Sequence, residues 1–427
     1  MHKIEHLLQT LAPNGVEFKT LEEVFEIKNG YTPSKNNPEF WKNGTIPWFR
    51  MEDLRENGRI LKDSIQHITP KALKGKKLFP KNSIIISTTA TIGEHALLIV
   101  DSLANQRFTF LSKKANCDLA LDMKFFFYQC FLLGEWCKNN INVSGFASVD
   151  MTAFKKHKFP IPPLEIQQEI VKILDAFTEL NTELNTELNA RKKQYQYYQN
   201  MLLDFNDINQ SHKDAKERLA QKPYPKRLKT LLHTLAPKGV EFRKLGEVCE
   251  ILDNRRIPIA KNKRNPGIYP YYGANGIQDY IDSYIFDGDF VLVGEDGSVI
   301  NKDNTPVVNW ASGKIWVNNH AHVLQTKNEL KLKFLYFYLQ TIDVSYCVAG
   351  TPPKINQENL KKITIPIPPL EIQQEIVKIL DQFSLLTTDL LAGIPAEIKA
   401  RKKQYEYYRE KLLTFKPLTP NKEVDKE

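Results

Sequence analysis

The most regular pattern in the chain is an apolar stripe that recurs at steps of three, four or seven residues over two long stretches. Such spacing places apolar side chains on one face of an α-helix. Pro162 and Pro163 precede the first stretch and Glu165 follows them, as expected near a helix N-terminus. The first stripe comprises Ile166, Ile170, Ile173, Phe177, Leu180, Leu184, Leu188, Tyr195, Tyr198, Leu202 and Phe205. The second comprises Ile372, Ile376, Ile379, Phe383, Leu386, Leu390, Ile394, Ile398, Tyr405, Tyr408, Leu412 and Phe415.

The two stripes predict two long helices that cover one another. A helix of about forty residues measures about 60 Å, which is longer than one small domain needs. We therefore favour an antiparallel pair with a coiled-coil-like seam. The alternative is that each helix packs only on its own domain. Gly393 and Pro395 predict a kink or a restart within the second helix.

The regions outside these stripes mix shorter patterns. Apolar runs bounded by turn residues predict strands at 83–87, 290–294 and 321–326. Longer apolar runs at 123–139 and 332–342 predict helices. This mixture, with many loops, predicts two α/β globules.

Two segments of the chain recur almost unchanged, whereas the sequences between them differ. LLQTLAPNGVEF at 7–18 returns as LLHTLAPKGVEF at 231–242, an offset of 224 (231 minus 7). IPPLEIQQEIVKILDAF at 161–177 returns at 367–383 with one change, an offset of 206 (367 minus 161). Self-similarity of this kind indicates a tandem of two units. The predicted segments are a constant segment at 1–18, a variable domain at 19–159, a helix at 160–205, a linker at 206–229, a variable domain at 230–365, a helix at 366–416 and a tail at 417–427.

Within the first predicted helix, residues 178–189 read TELN three times in succession. One copy more or fewer preserves the helix and changes its length by about 6 Å and the rotation between its ends by about 40°. We interpret the repeat as an adjustable spacer. The alternative is a solvated polar stretch that carries a leucine stripe.

Composition narrows the class of protein. The net charge is +9 (59 minus 50), which permits a polyanionic partner without requiring one. The five cysteines form no C-x-x-C pair, which argues against a disulfide framework or a structural zinc site and indicates a reducing compartment. The N-terminal sequence lacks the apolar core of a signal peptide, and the apolar run at 125–136 is too short to span a bilayer. We therefore expect a cytoplasmic protein.

Motifs for catalysis are missing from the sequence. It contains neither a G-x-x-x-x-G-K-[ST] loop nor a G-x-G-x-x-G turn. TPPK at 351–354 has the prolines of a methyltransferase motif without its flanking residues. His320 and His322 suggest a metal site, but a structural or ligand-contacting role fits the sequence better because no ligand cluster is legible. The acids around the strand at 290–294 suggest a nuclease metal site only weakly, because no lysine lies two residues after any of them; they are Asp287, Asp289, Glu295 and Asp296.

The repeated IPPLEIQQEIVKIL segments lead into helices that end in ARKKQYQYY and ARKKQYEYY. Together with GYTPSKNNPEFWKNGTIPWFRMEDL and YPYYGANGIQDYIDSYIFDGDFVLVGEDGS, they make the chain resemble the specificity subunit of type I restriction-modification enzymes over nearly its full length. The resemblance implies an α/β (α+β) pseudo-twofold tandem repeat. Two globular α/β target recognition domains would be separated by two long antiparallel coiled-coil-like helices.

The resemblance also implies a function. Each target recognition domain would read one half of a bipartite, asymmetric site in double-stranded DNA, and the helices would set the gap. The repeated ends would dock two modification (methyltransferase) subunits, joined by motor-nuclease restriction subunits. No cofactor is expected on this chain; S-adenosylmethionine, ATP and magnesium are expected on the partners. The alternatives are a stand-alone DNA nuclease or methylating enzyme, and an adaptor that binds only proteins.

Loops rich in polar, basic and aromatic residues are the expected DNA contacts, since such side chains address phosphates and base edges. In the first domain these are Tyr31, Thr32, Ser34, Lys35, Trp48, Arg50, Arg107, Ser144, Phe146 and Ser148. In the second they are Arg255, Arg256, Tyr272, Asn275, Glu295, Asp296, Ser298, Thr351 and Lys354. For Trp48 a place in the core, and for Tyr272 support of its turn, are the alternatives.

Overall fold

A computed structural model describes residues 2–142, 147–205, 224–297, 299–388 and 393–418. The chain forms two compact units. The first comprises the residues up to Glu183 together with those from Ile398 onward, and the second comprises Leu184–Glu397. The border between them therefore lies inside the long helices rather than at the ends of the variable domains.

The first unit is built on a five-stranded sheet with the order β2-β9-β6-β7-β4. A three-stranded sheet (β5-β3-β8) and the antiparallel pairs β1–β12 and β10–β11 complete it. Its elements are α1 (His2–Leu11), β1 (Glu17–Thr20), α2 (Leu21–Val24), β2 (Phe25–Asn29), β3 (Ile46–Phe49), α3 (Met51–Asn57), β4 (Ile60–Leu61), β5 (His67–Ile68), β6 (Ile84–Ser87), β7 (His95–Leu98), β8 (Leu103–Ala104), β9 (Phe108–Lys113), α4 (Met123–Asn139), β10 (Ile141–Asn142), β11 (Ser148–Val149), α5 (Met151–Lys156), β12 (Lys158–Ile161) and α6 (Leu164–Leu203), which continues into the second unit.

The second unit is built on a six-stranded sheet with the order β14-β19-β17-β18-β15-β16 and on the antiparallel pair β13–β20. Its elements are α7 (Lys226–Leu235), β13 (Phe242–Lys244), α8 (Leu245–Val248), β14 (Cys249–Ile251), β15 (Pro266–Gly273), β16 (Gly276–Ile281), β17 (Phe286–Gly294), β18 (Val308–Val317), β19 (Ala321–Thr326), α9 (Leu332–Leu339), α10 (Gln357–Lys362), β20 (Thr364–Pro366) and α11 (Leu370–Thr388). The last helix, α12 (Ile394–Leu413), returns the chain to the first unit.

The two sheets share one core arrangement. Strands β2-β9-β6-β7 and β14-β19-β17-β18 follow the same order, and every adjacent pair among them is antiparallel. The strands predicted at 83–87, 290–294 and 321–326 and the helix predicted at 123–139 are confirmed. The helix predicted at 332–342 ends earlier, at Leu339. The divergent middles are therefore two versions of one α/β fold.

A buried glutamine explains much of the repeated IPPLEIQQE segment. The Gln167 side-chain amide donates to the carbonyls of Pro162 (2.7 Å) and Ala120 (2.8 Å), and its oxygen accepts from the backbone N–H of Asp122 (2.8 Å). Gln373 repeats all three contacts in the second unit, at 2.7, 2.9 and 2.8 Å. Both residues are fully buried, so the prolines and the glutamine act together to fix each helix onto its unit.

Each unit contains parts of both long helices. In the first unit Phe177 of α6 stacks on Tyr408 of α12, with ring centroids 5.6 Å apart. In the second unit Phe383 of α11 stacks on Tyr198 of α6 at 5.1 Å. As the numbering rises along α6 it falls along its partner, so the pairing is antiparallel, as predicted. The first unit thus contains the N-terminal part of α6 and most of α12, and the second contains the C-terminal part of α6 and all of α11.

The second long helix is not continuous in the way the first is. α11 ends at Thr388 and α12 begins at Ile394, with Pro395 in its first turn, which agrees with the predicted restart. Helix α7 begins at Lys226, inside the predicted linker at 206–229, and the rest of that linker up to residue 223 lies outside the described residues. Within the described part of the chain, no helix is both long enough and apolar enough to cross a membrane.

Candidate nucleic-acid interface

A cleft of about 390 Å³ in the first unit brings together residues from four separate segments of the chain. Five of the predicted DNA contacts line it: Thr32, Lys35, Trp48, Arg50 and Arg107. The remaining lining residues are Met51, Glu52, Arg55, Ser87, Thr91, Asn105, Gln106 and Phe108. The loops that the sequence marked as polar and basic therefore converge on one concave surface.

The cleft is supported by a buried tryptophan. Trp48 is 2% exposed, and its ring N–H donates to the carbonyl of Tyr31 (2.9 Å), which fixes the loop that carries Thr32 and Lys35. Trp41 packs edge-on against Trp48 at 5.0 Å and donates to the carbonyl of Ser34 (2.9 Å). Trp48 is thus a core residue that positions the loop beside it.

The charge in the cleft is predominantly positive. Lys35, Arg50, Arg55 and Arg107 face a single acid, Glu52. The backbone N–H of Arg50 donates to the fully buried carboxylate of Asp53 (2.6 Å), which holds Arg50 at the wall of the cleft. Among the described residues, Arg50 Nε has no hydrogen-bond acceptor, and Glu52 lies 3.8 Å from it. Nε itself is buried, whereas the Arg50 side chain as a whole is 26% exposed and lines the cleft.

Other predicted residues of the first unit lie beside the cleft or outside the described chain. Tyr31 is half-buried and its ring carries the Lys76 ammonium at 4.0 Å, while Ser34 is exposed. Ser148 is half-buried and forms a β-bridge with Thr89. Ser144 and Phe146 lie outside the described residues.

In the second unit the structure sorts the predicted residues into exposed and buried groups. The exposed residues are Arg255, Asn275, Thr351 and Lys354. Arg255 lies over the Phe286 ring at 4.8 Å. Asp296 is half-buried and pairs with His320, and Ser298 lies outside the described residues. Tyr272 is 8% exposed in the core, and burial raises the pKa of its phenol.

Arg256 and Glu295 belong to a buried ion cluster. Their side chains are 10% and 13% exposed, and Arg256 Nη1 lies 2.6 Å from Glu295 Oε2. Arg256 also reaches Asp253 at 3.4 Å, and Lys354 reaches Glu295 at 3.0 Å. His322, fully buried, completes the cluster with Nδ1 at 2.6 Å from Asp253 Oδ2. This cluster ties the turn after β14, the end of β17 and strand β19 to the loop at 349–356.

The cluster resembles a metal site in one respect only. Asp253, Glu295 and His322 offer ligand atoms that lie within 4.8 Å of one another. However, His322 Nε2 is engaged by the carbonyl of Ile355 (2.8 Å), and the carboxylates already face the Arg256 guanidinium. The donor set is therefore satisfied by protein cations and does not fit a metal ion. Of the other acids considered, Asp287 and Asp289 are exposed.

His320 is a candidate DNA contact outside the set predicted from the loops, although the sequence favoured a structural or ligand-contacting role for it. The backbone N–H of Arg107 donates to Asn105 Oδ1 (3.0 Å), and the backbone N–H of His320 donates to Asn318 Oδ1 (2.8 Å). Both turns directly precede matching strands, β9 and β19, so His320 occupies the place of Arg107. The signal is the short pattern Asn-x-Arg or Asn-x-His, which becomes visible only when the strand registers are aligned.

Fold and site together define a class: a tandem-duplicated α/β protein whose two divergent units share one constant helical frame. The profile of the type I restriction modification DNA specificity domain matches residues 13–194 and 237–400. The chain belongs to this family of type I restriction-modification specificity subunits.

Relatives of known name agree with this assignment. The specificity subunit of the type I restriction enzyme EcoprrI from Escherichia coli is 39% identical over 405 residues, 91% of this chain and 93% of the relative. A putative type I specificity subunit from Haemophilus influenzae, S.HindORF215P, is 44% identical over 181 residues, 41% of this chain and 46% of the relative.

Solved structures share the fold. The S subunit of the type I restriction-modification system from M. genitalium aligns with a TM-score of 0.54 at 16% identity, covering 93% of this chain and 96% of that one. A chain from a structure concerning complex assembly and conformational transition of the type I R-M system aligns with a TM-score of 0.58 at 19% identity, covering 94% and 98%.

Proposed function

We propose that this chain is the DNA-recognition subunit of a type I restriction-modification complex. Each unit reads one half of a bipartite, asymmetric site, and the long helices set the gap between the halves. The observation that carries the proposal is the duplication itself: the buried Gln167 and Gln373 anchors are the same, whereas the loops at the ends of the shared sheet differ. A constant frame with two different sets of loops suits two different half-sites.

The cleft of the first unit is the proposed reading surface for one half-site. Four cations against one acid suit contact with phosphates, and Arg50 and Arg107 have the donors needed for a base edge. Replacing Arg107 by alanine is expected to weaken binding by about 1–3 kcal/mol if the residue reads a base, with relaxed specificity at that position. A phosphate contact predicts instead a uniform loss and a shallower salt dependence. Lys42, exposed and outside the cleft, is the matched control.

In the second unit the exposed residues are the proposed contacts. Arg255, Asn275, Thr351 and Lys354 are exposed and carry polar or charged side chains that suit contact with DNA, and we add His320 because its position is equivalent to that of Arg107. Arg256, Glu295 and Tyr272 support these loops from within, because their side chains are largely buried.

The repeated ends are the proposed docking sites for two modification subunits. Exposed apolar residues recur at equivalent positions of the two units: Leu11 (41%) with Leu235 (39%), Leu164 (37%) with Leu370 (41%), and Tyr407 (60%) with Tyr197 (57%). Large apolar side chains that stay exposed in both copies of a repeat indicate a surface kept for a partner. Since both surfaces are alike, both partners are copies of one protein.

Catalysis is proposed to reside on the partners. S-adenosylmethionine is assigned to the modification subunits, and ATP and magnesium to the motor-nuclease restriction subunits, in the cytoplasm. The second candidate function, a stand-alone nuclease or methylating enzyme, is tested by incubating the purified chain with DNA and either magnesium or S-adenosylmethionine. Cleavage or methyl transfer without partners would favour that candidate.

Methylation mapping tests the main proposal. In cells that carry this chain with its modification partner, we expect methyladenine on both strands of a split motif. Exchange of residues 19–159 for the corresponding segment of another specificity subunit is expected to change one half of the motif only. A change in both halves, or methylation without a split motif, refutes the proposal.

A further inference from the structure

Arg50, at the wall of the cleft in the first unit, has a counterpart position in the second unit. Strand β3 pairs in parallel with β8, starting at Trp48, and strand β15 pairs in parallel with β18, starting at Tyr271. Two residues beyond Trp48 the chain carries Arg50, and two residues beyond Tyr271 it carries Gly273. A glycine without a side chain therefore stands in the second unit where the first unit has an arginine.

The facing strands β8 and β18 support this match. In each unit the residue opposite the start of the pairing lies two positions before an asparagine, which is Asn105 in the first unit and Asn318 in the second. Each asparagine side chain accepts from the backbone N–H of the residue two positions further on. The two strand ends are thus the same structure with different side chains.

The side chain of Gln278 lies in the space beside Gly273. The register between β15 and β16 shifts between Tyr271 and Tyr272, which leaves Gln278 of β16 without an opposite residue. Such a β-bulge changes the direction of a side chain relative to a regular strand. Here the amide lies directly against the Gly273 backbone, because a Cβ at Gly273 would overlap Nε2 and Cδ of Gln278.

A chain of hydrogen bonds sets the orientation of the Gln278 amide. The backbone N–H of His320 donates to Oδ1 of Asn318 (2.8 Å), so the other end of the Asn318 amide is its amino group. Asn318 is 3% exposed, and this amino group donates to Oε1 of Gln278 (3.4 Å). In the part of the chain that the structure describes, Nε2 of Gln278 forms no hydrogen bond, and the side chain is exposed.

The polar atoms left on Gln278 suit adenine. A glutamine amide reads adenine in the major groove by donating from Nε2 to N7 and accepting from the N6 amino group at Oε1. Oε1 of Gln278 has a second lone pair beside the one that Asn318 uses. An arginine instead donates to O6 and N7 of guanine. Equivalent places in the two units therefore carry groups that suit different bases.

We propose that Gln278 is a specificity-determining residue of the second unit and reads an adenine of its half-site through the major groove. The proposal rests on the function proposed above. Gly273 leaves the space in which the amide lies, and Asn318 is the positioning residue that orients it. Gln278 lies outside the loops from which the DNA contacts were predicted, because its position depends on the β-bulge and not on local composition.

The test uses the whole complex with its modification subunits, and the half-site that domain exchange assigns to the second unit. Each base pair of this half-site is replaced in turn, and binding is measured by fluorescence anisotropy. Gln278→Ala is expected to lose about tenfold to a hundredfold discrimination at one A·T pair, the range for one bidentate base contact. Discrimination at the other pairs should stay as in the wild type.

A base analogue identifies the atom that is read. 7-Deazaadenine lacks the N7 acceptor of adenine but keeps the Watson–Crick edge. At the A·T pair in question, the wild-type complex should bind this analogue more weakly than adenine, whereas Gln278→Ala should bind both equally.

Gly273→Ala tests the placement of the amide without removing it. Gly273 does not have a positive φ, so alanine can keep the backbone, and the new Cβ displaces the flexible end of Gln278. We expect this variant to lose discrimination at the same A·T pair. Gln325→Ala is the matched control, since Gln325 is an exposed glutamine on β19, which β17, β18 and β15 separate from β16. Unchanged recognition of the first half-site shows that each variant is folded and assembled.

Full discrimination by Gln278→Ala or by Gly273→Ala overturns the proposal. An equal loss at every base pair, a relaxed G·C pair, or equal binding of adenine and its analogue by the wild type overturns it as well. Failure of the wild-type complex to recognise any bipartite site refutes the proposed function instead, so the two failures are distinguishable.

Discussion

Removing one TELN copy from α6 is expected to shorten the unspecified gap of the DNA site. The repeat at 178–189 lies within one uninterrupted helix, Leu164–Leu203, and the border between the two units falls between Glu183 and Leu184, inside the repeat. Deletion of four helical residues removes about 6 Å of rise and turns the helix ends by about 40°. A DNA base pair contributes about 3.4 Å and about 34°. The rise corresponds to about two base pairs and the rotation to about one, so we expect a gap shorter by one or two base pairs.

The partner of α6 differs from it in length over the corresponding stretch. The stretch from Ser384 to Ala400 contains 17 residues (400 minus 384 plus one), against 13 in the corresponding stretch from Thr178 to Ala190. The break before α12 lies within the longer stretch.

Methylation mapping of cells carrying the deletion, with the modification partner present, measures the new gap. The control replaces one TELN copy by AELA, which keeps both helix and length, and should leave the gap unchanged. Both half-sites are expected to keep their sequence in either variant. An unchanged gap in the deletion variant would falsify the spacer interpretation, and an altered half-site would show that α6 also shapes the reading surface.

Three further predictions follow from the contacts described. Gln167→Ala leaves two carbonyls and one N–H unpaired in the first unit, so urea denaturation should show a free energy of unfolding lower by about 2–3 kcal/mol. The control Gln168→Ala, at an exposed neighbour, should change the free energy of unfolding by less than about 0.5 kcal/mol. Tyr407→Ser should leave one modification subunit bound instead of two in native mass spectrometry, and Tyr197→Ser should do the same; retention of both partners by either variant contradicts the docking assignment. Burial, and to a smaller extent the charge of Arg59, lowers the pKa of His95 to about 3. Because His95 takes up a proton at a higher pH in the unfolded chain than in the folded unit, the free energy of unfolding of the first unit should fall by about 1.4 kcal/mol per pH unit below about 6.5. Hydrogen exchange measures this slope, which His95→Phe should flatten.

The long helices could be predicted from the sequence because apolar spacing is a local signal and because it occurs twice in the chain. Apolar spacing marked α6, and the same spacing with Gly393 and Pro395 marked the break before α12. Gln167, in contrast, reads as one more polar residue on a helix. Its burial depends on the Pro162 carbonyl and on a loop 45 residues away, which no periodicity records.

The proposed reading surfaces were predictable only by region. Lys35, Arg50 and Arg107 lie on one cleft, as the polar loops suggested, but their convergence depends on the order of strands in the sheet. The ion cluster was beyond sequence reasoning because His322 and Asp253 are 69 residues apart and meet only through the register of β14 and β19. For the same reason the sequence, which suggested a metal site at His322, did not indicate that the Arg256 guanidinium pairs with Asp253 and Glu295.

The packing of α12 in the core of the first unit has a consequence for the order of synthesis. Leu412 and Leu413 are buried in the core of the first unit, Gln129 donates to the Leu413 carbonyl, and the Lys416 carbonyl accepts from the N–H of Val16. The portion of the protein that a ribosome makes first therefore stays incomplete until the final turns of helix emerge. A chain that lacked the residues from Ile398 onward would contain a complete second unit beside an incomplete first one, so such a truncation disrupts the domain that is made earlier and not the one that is made later.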